Sequence, residues 1–135
     1  MIALYGWIAL GGALGSVARF ALAGWVAREW GEHFPWGTLL VNVAGCFVIG
    51  FFSALTAPTG RAPVAATGRH FFMTGVLGGF TTFSSFSLQT LELARAGAWL
   101  RAGGNVAGSV GLCLVAVWLG HLAGAACNAR SAVSS

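Results

Sequence analysis

Residues 75–90 read GVLGGFTTFSSFSLQT, and they interrupt a chain that is otherwise largely aliphatic. The stretch holds three glycines, the consecutive pair Thr81 and Thr82, three serines, and Phe80, Phe83 and Phe86 at every third position. A buried helix of a water-soluble domain disfavours the glycines, which cost about 1 kcal/mol each relative to alanine. A helix facing lipid disfavours the hydroxyls, because hydrocarbon offers them no partner. The segment suits a helix that is interrupted where its polar groups line something, and the flanking sequence says what surrounds it.

The chain has 135 residues, of which 57% are hydrophobic and 7% charged, with no lysine. Soluble domains carry about a quarter charged residues, so this length is one domain that cannot clothe itself for water. Apolar runs at 2–27, 36–57, 71–94 and 103–126 are each long enough to span a bilayer, which takes about 20 residues of helix. Backbone groups in lipid must be satisfied internally, so these runs predict an all-α membrane protein of four transmembrane helices. The first run lacks a basic start and is interrupted by Arg19, which predicts a retained span rather than a cleaved signal.

Other classes find little support. Seven scattered arginines form no patch for nucleic acid. Cys46, Cys113 and Cys127 make no CxxC pair, and Cys46 and Cys113 read as small apolar fillers within spans. His33, His70 and His121 are dispersed, and the three acids Glu29, Glu32 and Glu92 lie near span ends. No catalytic triad and no side-chain metal site can be assembled from them.

Four spans put the second loop and both termini on one side, with Arg61, Arg69 and Arg130, against Arg28, Arg95 and Arg101 on the other. Orientation follows the excess of basic residues in cytoplasmic loops, and this tie leaves no preference. A dual-topology antiparallel homodimer follows naturally. The C-terminal residues NARSAVSS read as a frayed tail. Gly11 and Gly15, Gly75 and Gly79, Gly104 and Gly108, and Gly120 and Gly124 recur at a spacing that lets helices approach closely.

Polar residues inside the spans mark a candidate pathway. Arg19 reads as an interfacial anchor or as the positive mouth of a vestibule. Asn42 reads as interhelical glue or as a donor facing a pathway. Asn105, Ser109 and Cys113 repeat at helical spacing and share one face. In the opening stretch a break is expected over 78–82, released by Gly78 and Gly79. Phe83 and Phe86 then fall on one face, where their ring edges carry partial positive charge suited to an anion, although such a stripe also serves core packing.

GGALGSVARF, GTLLVNVAGCFVIGF and GVLGGFTTFSSFS together resemble the Fluc (CrcB) family of bacterial fluoride channels, across nearly the whole chain. The resemblance implies an antiparallel dual-topology homodimer in the bacterial inner membrane, with two pores, that lets fluoride leave the cytoplasm passively. It casts Phe83, Phe86, Asn42, Thr82, Ser109, Asn105 and Arg19 along the fluoride pathway. It makes the backbone carbonyls of Gly78 and Thr81 ligands of a structural sodium ion at the dimer interface. Asn105 stands where the family usually has tyrosine, Gln89 where many members have glutamate, and Ser85 where threonine is common. The rival reading is a small proton-coupled multidrug exporter, which needs an acid buried in the membrane; the first two spans contain none.

Overall fold

The long apolar runs become helices because each backbone N–H and C=O then finds its partner within the segment. The computed structural model describes residues 1–132, and those residues form helices and short connections without strands. Helix α1 runs Ile2–Trp30 and α2 runs Trp36–Leu55. The third span has two parts: α3 over residues 66–80 and α4 over Phe83–Arg95. Helix α5, Trp99–Ala132, completes the chain, and all four spans are long and apolar enough to cross a membrane. Gly31 (φ 79°) follows α1 and Gly97 (φ 76°) follows α4, each supplying the left-handed backbone at a helix end that glycine adopts without strain.

The third and fourth spans outrun their expected bounds where side chains hold their ends, while α2 stops at Leu55 rather than 57. The third begins at Ala66 rather than 71. Within that added turn Arg69 donates from Nη1 to the Thr56 hydroxyl at 2.6 Å and to the Ser53 carbonyl at 3.5 Å, where α2 ends. A guanidinium there also meets the negative end of the α2 dipole. The C-terminal residues expected to fray continue α5 through Ala132, while 133–135 lie outside the described residues. Asn128 anchors this extension, donating to the Ala54 carbonyl at 3.0 Å and accepting the Arg61 N–H at 2.8 Å.

Glycines set how closely the spans pair. A Cβ on Gly11 would lie 2.6 Å from the Phe71 carbonyl oxygen, and one on Gly75 would lie 2.9 Å from that of Ile8. Gly15 meets the Val76 carbonyl and Gly79 the Gly12 backbone in the same way. The order of these contacts shows α1 and α3 running parallel. Gly120 and Gly124 likewise press on Phe47 and Phe51, making α2 and α5 a second parallel pair. Gly104 and Gly108 have no neighbour near a Cβ position, so that glycine pair faces outward. Trp7 and Trp118 sit toward one end of the bundle, and Trp25, Trp30, Trp36 and Trp99 toward the other; all are exposed, as interfacial belts are.

Most of α3, His70–Leu77, is π-helical, and the Gly78 N–H reaches back to Met73. Such turns are rare and concentrate at functional sites. Here the widened stretch lies against Gly11 and Gly15 of α1 and leads straight into the break.

These contacts predict that Gly15→Val, which drives side-chain atoms into the Val76 carbonyl, destabilises the folded protein in detergent by about 1–3 kcal/mol. Gly6→Ala, with open space at its Cβ, leaves stability unchanged or slightly improved. Thermal unfolding followed by size-exclusion chromatography distinguishes the two.

Candidate ion pathway

The interruption of the third span is narrower than its glycines suggest. Gly78 keeps helical angles (φ −64°, ψ −37°), and the chain leaves the helix at Thr81 (φ −84°, ψ 156°) and Thr82 (φ −152°, ψ 114°). The expected release at 78 and 79 is therefore corrected: Gly79 serves packing against Gly12, and the β-branched threonines adopt the extended backbone they favour.

Two side chains complete the severed backbone. The Thr82 N–H donates to Asn42 Oδ1 at 2.7 Å, and Asn42 Nδ2 donates to the Thr82 carbonyl at 3.0 Å. The side-chain amide thus mimics a strand partner. Thr82 is also the N-cap of α4, its Oγ1 accepting the Ser85 N–H at 3.2 Å. These bonds redirect the two donors that a continuous helix would have given to the carbonyls of Gly78 and Thr81. Thr81 Oγ1 turns back to the Leu77 carbonyl at 2.9 Å.

Around the break lie three cavities that share walls. One of about 430 Å³ opens among Glu32, Trp36, Thr38, Gln89 and Glu92. A second, about 420 Å³, is bordered by Ser16, Arg19, Thr38, Thr82, Ser85 and Gln89. A third, about 240 Å³, is bordered by Asn42, Cys46, Thr81, Thr82, Phe83, Phe86, Ser109, Val110 and Cys113. Thr38 and Gln89 stand between the first and second, and Thr82 between the second and third. Gln89 Oε1 is buried there without a hydrogen-bond partner among the described residues. Among the described residues no group of three or more His, Cys, Asp or Glu could hold a metal.

The two phenylalanines differ in setting. Their ring centroids are 5.1 Å apart with a 52° tilt; Phe86 is 7% exposed and Phe83 74%. Ser84 and Ser87 are exposed beside Phe83, as is Gly78 across the break. One side of the interruption is thus closed by Asn42, and the other is bare.

Asn105, Ser109 and Cys113 share a face as their spacing implies, but their roles diverge. Ser109 borders the cavity and donates to Asn105 Oδ1 at 3.3 Å. Asn105, 2% exposed, donates in turn to Thr90 Oγ1 at 2.8 Å, and Thr90 donates to the Phe86 carbonyl at 2.7 Å. Asn105 is a positioning residue that ties α5 to the turn carrying Phe86. Thr90 escaped the sequence reading, although its place one turn after Phe86 is the available clue.

A family model described as "CrcB-like protein, Camphor Resistance (CrcB)" matches residues 6–121. The chain belongs to the CrcB family. CrcB relatives cover almost its whole length. A protein of Opitutus terrae named "Fluoride-specific ion channel FluC" is 72% identical over 94% of this chain and 96% of its own. Proteins of the same name from Methylocella silvestris and Paramagnetospirillum magneticum are 58% and 55% identical, each over 92% of this chain and over 95% and 97% of their own.

Removing the Asn42 amide exposes how much the break depends on it. Asn42→Ala leaves the Thr82 N–H and C=O without their partner, at about 1–3 kcal/mol for each buried group. The variant is expected to unfold at lower denaturant than the parent, and Thr82 is expected to lose amide-exchange protection. Unchanged protection at Thr82 contradicts the assignment.

Proposed function

We propose that this CrcB chain is a fluoride-selective channel that lets fluoride leave the cytoplasm down its gradient and so lowers its toxic concentration. It is a conductor, not an enzyme, and its setting is the bacterial inner membrane. The observation that carries the reading is the third cavity. It joins the Asn42 amide, which keeps one N–H beyond its bond to Thr82, the rings of Phe83 and Phe86 and the N-terminus of α4, without a buried cation. Each is a donor or a positive dipole end suited to an anion. Fluoride holds its water strongly, so a selective path must replace that water with many donors. Conduction further needs those contacts to be weak and repeated, which arginine in the bore would prevent. Arg19 serves better at the wider second cavity, where its field gathers anions. Thr82 stands between them, while Asn105 acts through Phe86 and Ser109.

The working unit is an antiparallel homodimer with two pores. Support comes from the bare side of the break, where exposed Gly78, Phe83, Ser84 and Ser87 would otherwise meet lipid. Hydrocarbon cannot satisfy the carbonyls released by the break, whereas a second copy can. The outward glycines Gly104 and Gly108 permit its close approach, and the balanced arginines permit the inverted orientation. The residues also fit a structural sodium ion. The carbonyls of Gly78 and Thr81 have lost their helical donors, and such hard oxygen ligands suit a small cation. Without carboxylates at the break, calcium or magnesium would go uncompensated. Sodium would supply fixed positive charge that holds the two copies together.

Purified protein in liposomes is expected to release fluoride rapidly and chloride hardly at all. Phe86→Ile keeps volume and apolarity, so the fold survives, but an alkyl group has no positive edge. Its fluoride flux is expected to fall roughly tenfold or more, equivalent to ~1.4 kcal/mol on the barrier. Chloride release at a comparable rate contradicts selectivity, and proton-driven uptake of organic cations would establish the exporter instead.

A further inference from the structure

Two cysteines that read as apolar fillers in the sequence meet in the third cavity. Cys46 of α2 and Cys113 of α5 both border it, and their thiols are near neighbours. Both are free. The parallel pairing of α2 and α5 explains the meeting. Asn42 and Ser109 border the cavity one turn earlier on each helix, and one turn later Gly50 lies against the Val117 carbonyl. That backbone contact leaves no room for a Cβ at Gly50, so the helices cannot separate at the cysteines without losing it.

Opposed sulfurs on two rigid helices suit a particular chemistry. Thiolates select soft cations, and two of them satisfy an ion that prefers linear coordination. No carboxylate or imidazole among the described residues completes a larger ligand set, which disfavours tetrahedral zinc. Charge narrows the choice further. Two thiolates neutralise a divalent ion but leave a monovalent one with a net negative charge, which is costly in apolar surroundings.

We propose that Cys46 and Cys113 form a binding site for a soft, two-coordinate divalent cation, for which mercury(II) is the probe, and that occupancy obstructs the anion path. The obstruction rests on the channel reading above; the site itself does not. Each thiol gives up its proton to solvent, and each sulfur donates a lone pair to the metal. No electron is transferred, and the product is a neutral bis-thiolate. It sits in a cavity of about 240 Å³ beside Ser109 and both phenyl rings, where it displaces the space a hydrated or partly hydrated anion needs.

The test uses the full chain in liposomes titrated with mercuric chloride. The parent protein and Cys127→Ser are expected to retain about one mercury per chain against a monothiol wash and to release it to a vicinal dithiol, with the ultraviolet band of a bis-thiolate. Cys46→Ala and Cys113→Ala are each expected to retain it more than tenfold less tightly, at ~1.4 kcal/mol for each factor of ten. Fluoride flux through the parent is expected to fall at least about tenfold on loading and recover on stripping, by the same conversion. Equal retention by the single-cysteine variants, or retention that disappears in Cys127→Ser, overturns the site. Retention as described with unchanged flux overturns the obstruction. If the protein passes no fluoride even without mercury, the channel reading fails, while retention measured on the protein still decides the site.

Discussion

The architecture of the third span depends on one side-chain amide. Thr81 and Thr82 leave the helix within a segment whose neighbours are apolar, and the Thr82 N–H and C=O would be stranded without Asn42. An unmade hydrogen bond at such a site costs about 1–3 kcal/mol per group, whereas the paired amide restores both at once. Everything distinctive about the chain is adjacent to this pair. It fixes the start of α4, hence the rings of Phe83 and Phe86, and it holds α2 against the break so that Cys46 faces Cys113.

The same constraint separates the two sides of the break. Asn42 serves the inner side, and the Asn105–Thr90 relay fastens the following turn to α5. On the outer side Ser84 meets only Thr82, and Ser87 donates to the Phe83 carbonyl, both within the same turn, while Gly78, Phe83 and Ser84 stay exposed. A polar, interrupted backbone is tolerated at membrane depth only against protein, water or an ion. The dimer proposed above would supply that protein from a second copy.

Span number and helical class were legible because low charge and apolar length leave no other solution. Boundaries were less so. The start at Ala66 depends on Arg69 finding Thr56, and the extension to Ala132 on Asn128 finding Ala54, both contacts between distant parts of the chain. The break fell within the expected 78–82, but a local rule set its start too early. Glycine weakens an isolated helix, but packing against Gly12 of α1 holds Gly79 helical, and no local rule names that partner. Periodicity correctly grouped Asn105, Ser109 and Cys113 on one face. It could not tell that Asn105 spends its amide on Thr90, or that Cys113 meets Cys46, because both partners lie on other helices.

The central claim is that the break at Thr81–Thr82 is closed by Asn42 on one side and by an inverted second copy on the other. A high-resolution density map of the protein in lipid nanodiscs, recorded in sodium fluoride, tests it most directly. The account predicts two antiparallel copies whose breaks meet at the two-fold axis. It also predicts a density peak there in contact with the carbonyls of Gly78 and Thr81 from both copies. A continuous third helix, or a break that faces lipid in an isolated or parallel chain, would contradict it.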